Sequence, residues 1–591
     1  MISIKNQIPY DYYYLNICPP EDVEKVKDNL GEIITGSKTY YTNYKVKVNQ
    51  NEYCKQLCKK KISKANYNNF KFLIDKKYNA NWYLDMLPAG YATTVDLLTD
   101  EPKLEIDYSM GVPLGEKKDN KTYIYNHFRM YVDTHTEDNE NYQIVGFKIE
   151  PFSIKQSETS LCGSSNNNTS FTPVVSLLDM DKQEVEIDQY VFFTYDVVFR
   201  PSNITFASRF DHYSNINSKV HWFGIINSNV LIFVLTFLTI VIFTRSLKKD
   251  IEIYNTKVTN EEIIDEYGWK QVCNDVFRKP IHCEILSALV GTGIQIMIMI
   301  TYTLFFAVLG FFRPEARGSM LTMMIMVFVF LSVVGGYISS RMYKFFHGRN
   351  WLRCAINTSL IFPGFCFGLL MLVNWMYRLE GSTVGLGFSQ VSSVGILWIC
   401  CSTPLVLVGA FIGIKQRGIE TPCKINPVPS QIPEKPWFFH MKYSCWVTGL
   451  LPFGAVFIEF IYIMSSIWKH ELFFLATFAM IALLVLLITS AEIGFLFVYV
   501  NLCRGDYNWW WKCYMASASP VIYVMLYSIY YFFSLEMTRL STIVIYFGLM
   551  SLISFVIALI CGGVGVVSSL MILKKIYSMI KVDQTYKTYI N

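Results

Sequence analysis

The chain has 591 residues, of which 52% are hydrophobic and 16% aromatic, and its net charge at neutral pH is +5. It is too apolar for an ordinary soluble enzyme of this length, and too weakly charged to signal a nucleic-acid partner. The apolar residues are also unevenly placed. A largely polar stretch of roughly 225 residues precedes nine apolar runs, each near the roughly 20 residues a helix needs to cross about 30 Å of hydrocarbon. The fold class is therefore that of a membrane protein: an N-terminal, mostly-β, sandwich-like domain (1–222), an all-α bundle of nine transmembrane helices (223–575) and a tail (576–591).

The opening, MISIKNQIPYDYYYLNICPP, contains no apolar run. A domain of this size normally needs a signal to be translocated, so a leader missing from this sequence is the favoured reading. Short alternating runs follow, such as YQIVGFKIEPFSI at 142–154 and EIDQYVFFTYDVVFR at 186–200, and predict half-buried strands. Four cysteines fall here: Cys18, Cys54, Cys58 and Cys162. They allow three disulfide pairings, which the sequence leaves open. A zinc site at Cys54 and Cys58 lacks a second ligand pair or a nearby histidine. Candidate N-glycosylation sites are Asn120, Asn167, Asn168 and Asn203.

The spans are predicted at 226–244, 284–311, 320–342, 354–377, 390–414, 444–467, 472–500, 515–535 and 542–573. Lys and Arg concentrate in the alternate loops that begin with RSLKKD at 245–250. That bias places the N-terminal domain in the lumen or outside the cell and the C-terminus in the cytosol. Trp509, Trp510 and Trp511 read as an interfacial belt. Glu459 and Glu492 fall inside spans, where a carboxylate must face protein or water. They are candidate polar sites for an ion or cargo, or else interhelical struts. Gly364 and Gly368, and Gly409 and Gly413, lie four residues apart. That spacing suits close helix contact, either within the bundle or in a groove for another protein's span. Pro363, Pro404 and Pro452 are expected to kink their helices.

Several strings resemble the nonaspanins, the nine-transmembrane endomembrane protein 70 family. They include NWYLDMLPAG (81–90), VGFKIEP (145–151), FTYDVVF (193–199), HWFGIINS (221–228), YGWKQVCNDVFRKP (267–280), RPEARGSMLT (313–322), LPFGAVFIEF (451–460) and GDYNWWWK (505–512). They run in register through nearly the whole chain. The resemblance implies a cargo-sorting factor of Golgi and endosomal membranes with a plasma-membrane pool. Its clients would be membrane proteins with Gly-rich transmembrane helices, and their surface delivery would serve adhesion and phagocytosis. The family's C-terminal basic–x–acidic motif, linked to the COPI coat, is matched by Lys581-Val582-Asp583, but eight residues follow it here. Lys581 and Asp583 are thus the candidate coat-binding pair. Membrane lipid is the other expected partner.

No sequence element suggests catalysis. The histidines lie outside the predicted span cores, and no GxSxG, HExxH or P-loop occurs. Neither enzymatic activity nor a cofactor is expected. A small-molecule or ion transporter, motivated by the two glutamates, is the first rival reading. A surface phagocytic receptor is the second.

Overall fold

The computed structural model describes residues 1–591 except 4, 22–24, 27–28, 37, 95–103, 108–110, 137–140, 159–160, 163–176, 178–179, 211–217, 258–267, 313–317, 435, 438–439, 470–474, 536, 538 and 580–591. The alternating runs form strands. The main sheet is built from β1 (Glu52–Lys61), β2 (Gly90–Thr94), β3 (Leu104–Asp107), β4 (His127–Thr136), β5 (Tyr142–Phe152) and β6 (Tyr190–Pro201). Their order across the sheet is β1-β6-β4-β5-β2-β3. β4 runs parallel to β6 and antiparallel to β5. The β-rich domain thus centres on one six-stranded mixed sheet with short two-stranded ribbons around it, rather than on two broad facing sheets.

Side chains two apart on a strand share a face. Phe128, Met130 and Val132 of β4 therefore join Phe147, Ile149, Tyr195 and Val197 in an apolar layer. The opposite face of the same strands carries charge. Arg129 lies beside Asp196, with both its Nε and its second guanidinium nitrogen 3.0 Å from Oδ2. His127 Nδ1 is 2.9 Å from Thr194 Oγ1, and its Nε2 is 3.4 Å from Asp196 Oδ2. The Cys54 N–H donates to Asp196 Oδ1 at 2.7 Å. Tyr131 donates to Glu150 at 3.0 Å, and Lys148 pairs with Asp133. Burial pushes the Asp196 carboxyl up, but His127, the Cys54 N–H and Arg129 outweigh it and hold the group below its ordinary value. On the exposed edge, β1 presents Lys55, Lys59, Lys60 and Lys61, a charge pattern that discourages pairing with another chain.

The short helix α1 (Leu30–Thr35) opens on a capping box, in which Asn29 and Glu32 exchange side-chain and backbone hydrogen bonds. α2 (Lys64–Asp75) buries Phe70, Leu73 and Ile74 against the N-terminal stretch. The bundle then follows as α3 (Ser218–Lys257), α4 (Cys283–Val308), α5 (Ser319–Phe345), α6 (Trp351–Leu379), α7 (Phe388–Lys415), α8 (Met441–Lys469), α9 (Leu475–Cys503), α10 (Trp510–Ser534) and α11 (Leu540–Ser578). Among the described residues, α4 to α11 are eight helices long and apolar enough to cross a membrane. α3 carries the apolar run VLIFVLTFLTIVIF at 230–243, with Phe233, Phe237 and Ile242 exposed.

The N-terminal domain sits directly on one end of the bundle. Asn6 accepts from Thr542 at 2.8 Å, Pro9 O from Ser382 at 2.6 Å and Thr383 Oγ1 from the Asp11 N–H at 3.0 Å. Thr322, at the start of α5, accepts from the Gly31 N–H at 2.8 Å. Glu380 receives both Arg539 and Ser541, binding the α6–α7 loop to the start of α11. At the opposite end an aromatic core of Trp269, Phe277, Phe345, Phe346, Trp509, Trp510 and Tyr577 closes the bundle.

Candidate functional site

The glycine pairs separate sharply. Gly409 on α7 lies against α5, where an added Cβ would come within 1.9 Å of the Val333 carbonyl oxygen. At Gly413 it would meet Ser340 Oγ at 2.1 Å and Tyr337 O at 2.7 Å. These two glycines let α5 and α7 touch backbone to backbone, so no incoming helix can occupy them. The groove expectation fails there for that steric reason. Gly293 plays the same part toward Leu559 on α11.

Gly364 and Gly368 on α6 are open. A Cβ at Gly364 would meet only Trp398, at 3.8 Å, and one at Gly368 would meet nothing within 4 Å. Three local features shape this face. Pro363 cannot donate to the carbonyl of Ser359 four residues earlier. The Trp398 indole N–H makes that bond instead, at 2.9 Å. Trp398 lies in a π-turn of α7, Leu397–Ser402, where the Thr403 N–H reaches back to Trp398 O just before Pro404. The ring of Phe367 then stands 6.0 Å from that of Trp398. The back of α6 packs through Phe362 and Phe365 onto Phe555 of α11. Its outward stripe continues from Gly368 through Met371, Leu372 and Trp375 toward the N-terminal domain. There Asn374 accepts from the Leu386 N–H at 2.8 Å and fixes the α6–α7 loop on which the domain rests.

The two acidic residues lie apart. Glu459 on α8 is 1% exposed, and neither carboxylate oxygen has a hydrogen-bond partner among the described residues. The strut expectation requires such a partner. Glu492 on α9 interacts with Thr236 of α3 through its carboxylate, while its Oε1 has no hydrogen-bond partner. No basic side chain pairs with either among the described residues. In the N-terminal domain the disulfides are Cys18–Cys58 and Cys54–Cys162, so Cys54 and Cys58 belong to different bridges rather than to one metal site. Asn120 and Asn203 are exposed, Asn120 in a turn. Asn167, Asn168, Lys581 and Asp583 lie outside the described residues. Lys574 and Lys575, at the end of α11, are exposed.

An endomembrane protein 70 family profile matches residues 9–543. The chain belongs to the endomembrane protein 70 family. Transmembrane 9 superfamily member 10 of Arabidopsis thaliana is 35% identical, covering 99% of this chain and 93% of that protein. Transmembrane 9 superfamily member 4 of Homo sapiens is 32% identical over the same shares. Transmembrane 9 superfamily member 2 of Mus musculus is 31% identical, covering 98% of this chain and 90% of that protein. No solved structure matches this chain. The family has nine transmembrane helices; among the described residues α4 to α11 are eight candidate spans here, and the helix α3 precedes them.

In this endomembrane protein 70 family member the tryptophan triplet is not an interfacial belt. Trp509 and Trp510 are buried, and their indole N–H groups donate to Val276 O at 2.8 Å and Arg278 O at 3.0 Å. Trp511 donates to Ile281 O at 2.7 Å. The three indoles thus staple the 276–281 segment to the bundle. Sequence reasoning also passes over Cys273 and Cys423, which form a third disulfide. The Asp275 beside it accepts from Ser430 and Arg278. Burial raises its carboxyl, and those bonds hold it below the usual range.

Proposed function

We propose that this chain sorts membrane-protein clients in the Golgi–endosomal system, engaging their transmembrane helices in the bilayer and supporting their delivery to the surface. Adhesion and phagocytosis would then depend on it. The observation that carries the reading is the α6 face at Gly364 and Gly368. It is glycine-bearing, bordered at Gly364 by the Trp398 ring, open at Gly368 among the described residues, and continuous with the stripe that leads to the N-terminal domain. Helices in lipid gain by backbone approach rather than by hydrophobic burial, so an unoccupied glycine face favours a second helix. A client span laid there would hold its own ectodomain near the N-terminal domain. The basic loops at the far end of the bundle support a lumenal N-terminal domain and a cytosolic tail. In that orientation Lys581 and Asp583 would meet the COPI coat.

Quantitative surface proteomics in cells lacking the protein tests this reading. A set of receptors with Gly-rich spans is expected to fall, to return with wild type, and to stay low with a Gly364→Leu, Gly368→Leu variant present at equal amount. An unchanged surface proteome sinks the proposal. If organelle pH or ion content shifts instead, the transporter reading, motivated by Glu459 and Glu492 within the bundle, replaces it.

A further inference from the structure

With α3 as the first of the nine spans its family has, the three disulfides among the described residues are divided by the membrane. Cys18–Cys58 and Cys54–Cys162 lie before α3. Cys273 follows α3, and four further helices, α4 to α7, separate it from Cys423 and bring the chain back to the same face. One crossing therefore stands between the first two bridges and the third. Disulfides persist in the secretory lumen and outside the cell, whereas cytosolic thiols are kept reduced. The two groups cannot both be permanent, whichever way the protein is inserted.

With the N-terminal domain in the lumen, the exposed-to-reduction bridge is Cys273–Cys423. Its two segments are held together without the bond. The Asn426 N–H donates to Asn274 O at 3.2 Å, and Arg278 donates to Asn426 O at 2.8 Å. Ser430 donates to Asp275 Oδ2 through its hydroxyl at 2.6 Å and its N–H at 3.2 Å. The indoles of Trp509 and Trp510 grip the same segment from behind. The cysteine Cα atoms stand 6.3 Å apart, within bridging range. Cys423 is 4% exposed, whereas Cys273 is only half-buried.

We propose that Cys273 and Cys423 form a redox-reversible clasp on the cytosolic face, a dithiol at rest that closes by exchange with a small-molecule disulfide of the glutathione type. The Cys273 thiolate attacks one sulfur of that disulfide, forming a mixed disulfide and releasing one small thiolate. The Cys423 thiolate then attacks Cys273 Sγ, forms the internal bond and releases the second. The two cysteine protons pass to the released thiols, the protein gives up two electrons, and the small disulfide takes them. Glu420, Thr421 and Pro422 run immediately before Cys423 and form one wall of a cleft of about 440 Å³. The other wall is Met571, Lys574, Lys575 and Ser578, where α11 ends and the tail departs. Closing the clasp pins the first wall, and with it the α7–α8 linker, at the base of the tail.

This inference rests on the orientation proposed above, and its test separates the two. Full-length protein in cells is lysed into denaturant with a thiol trap, and the linked Cys273–Cys423 peptide is quantified before diamide, after it and after washout. The linked form is expected to be scarce at rest, to rise roughly fivefold or more with oxidant and to fall back on recovery. In digitonin-opened cells, protease cleavage of the 416–440 linker is expected to slow several-fold on oxidation in wild type but not in Cys423→Ser. If the pair stays reduced under diamide while other cytosolic thiols oxidise, or linker cleavage does not change, the clasp is overturned and the orientation stands. A bond present at rest that an impermeant phosphine reduces in digitonin-opened cells overturns the clasp likewise. A bond present at rest that the phosphine reaches only after the organelle membranes are broken overturns the orientation itself.

Discussion

Replacing Gly409 with leucine is expected to remove most of the folded protein, whereas the same change at Gly368 is expected to leave it intact. The contrast follows from what each Cβ would meet. At Gly409 it is a backbone carbonyl at 1.9 Å, on a helix that cannot yield without separating α5 from α7. At Gly368 it is open space. Overpacking a core usually costs about 1–3 kcal/mol, and a clash with backbone rather than a flexible side chain belongs at or above the top of that range. Against the roughly 5–15 kcal/mol that holds a typical domain folded, this suffices to lower abundance several-fold. Quantitative blotting and thermal denaturation in detergent check the prediction. Equal abundance of the two variants would show that the α5–α7 seam does not depend on glycine.

The second large effect is expected at Asp196. Changing it to alanine strands Arg129 and His127, both fully buried, without the carboxylate that faces them. Breaking a buried ion pair from one side typically costs about 3–5 kcal/mol. The Cys54 N–H also loses its acceptor, beside the Cys54–Cys162 bridge. Because the Asp196 carboxyl is depressed in the folded state, its contribution is fully present above the unfolded carboxylate value of about 4. It disappears as pH falls through the lower, folded value. The part of the stability gap between wild type and Asp196→Asn that the ionised carboxylate supplies should therefore shrink as pH falls below about 4. Thermal denaturation of the full-length protein across that range measures it. A gap that widens as pH falls below about 4 would contradict the depressed carboxyl.

The last eight spans were legible because each needs only a long apolar run, and their helices fall on the predicted segments with ends displaced by a few residues; the helix over the first segment, α3, runs well past 226–244 at both ends. β5 and β6 were legible as strands, but the parallel pairing of β6 with β4 was not, since alternation fixes faces and says nothing of neighbours. Four-residue spacing placed Gly364 with Gly368 and Gly409 with Gly413 on common faces. It could not say that one face meets the α5 backbone while the other is bordered only by Trp398 at Gly364 and open at Gly368, because that depends on which helix lies opposite. The tryptophans misled for a related reason: an amphipathic ring beside a span suits a membrane interface, yet equally suits buried carbonyls left over by a loop without regular structure. Cys273 and Cys423 look like ordinary apolar cysteines when read one at a time. Only the fold brings them together across 150 residues.

The most direct test of the sorting account places a photoreactive side chain at Met371, one turn from Gly368 on the exposed α6 stripe, and a control at Phe237 on the exposed face of α3. Irradiation in intact cells is expected to join Met371 to the transmembrane segments of single-span clients. Phe237 should give lipid adducts, and Gly368→Leu should abolish the Met371 protein adducts. Identical adduct patterns at the two positions, or lipid alone at Met371, would contradict the claim that this face receives a client helix.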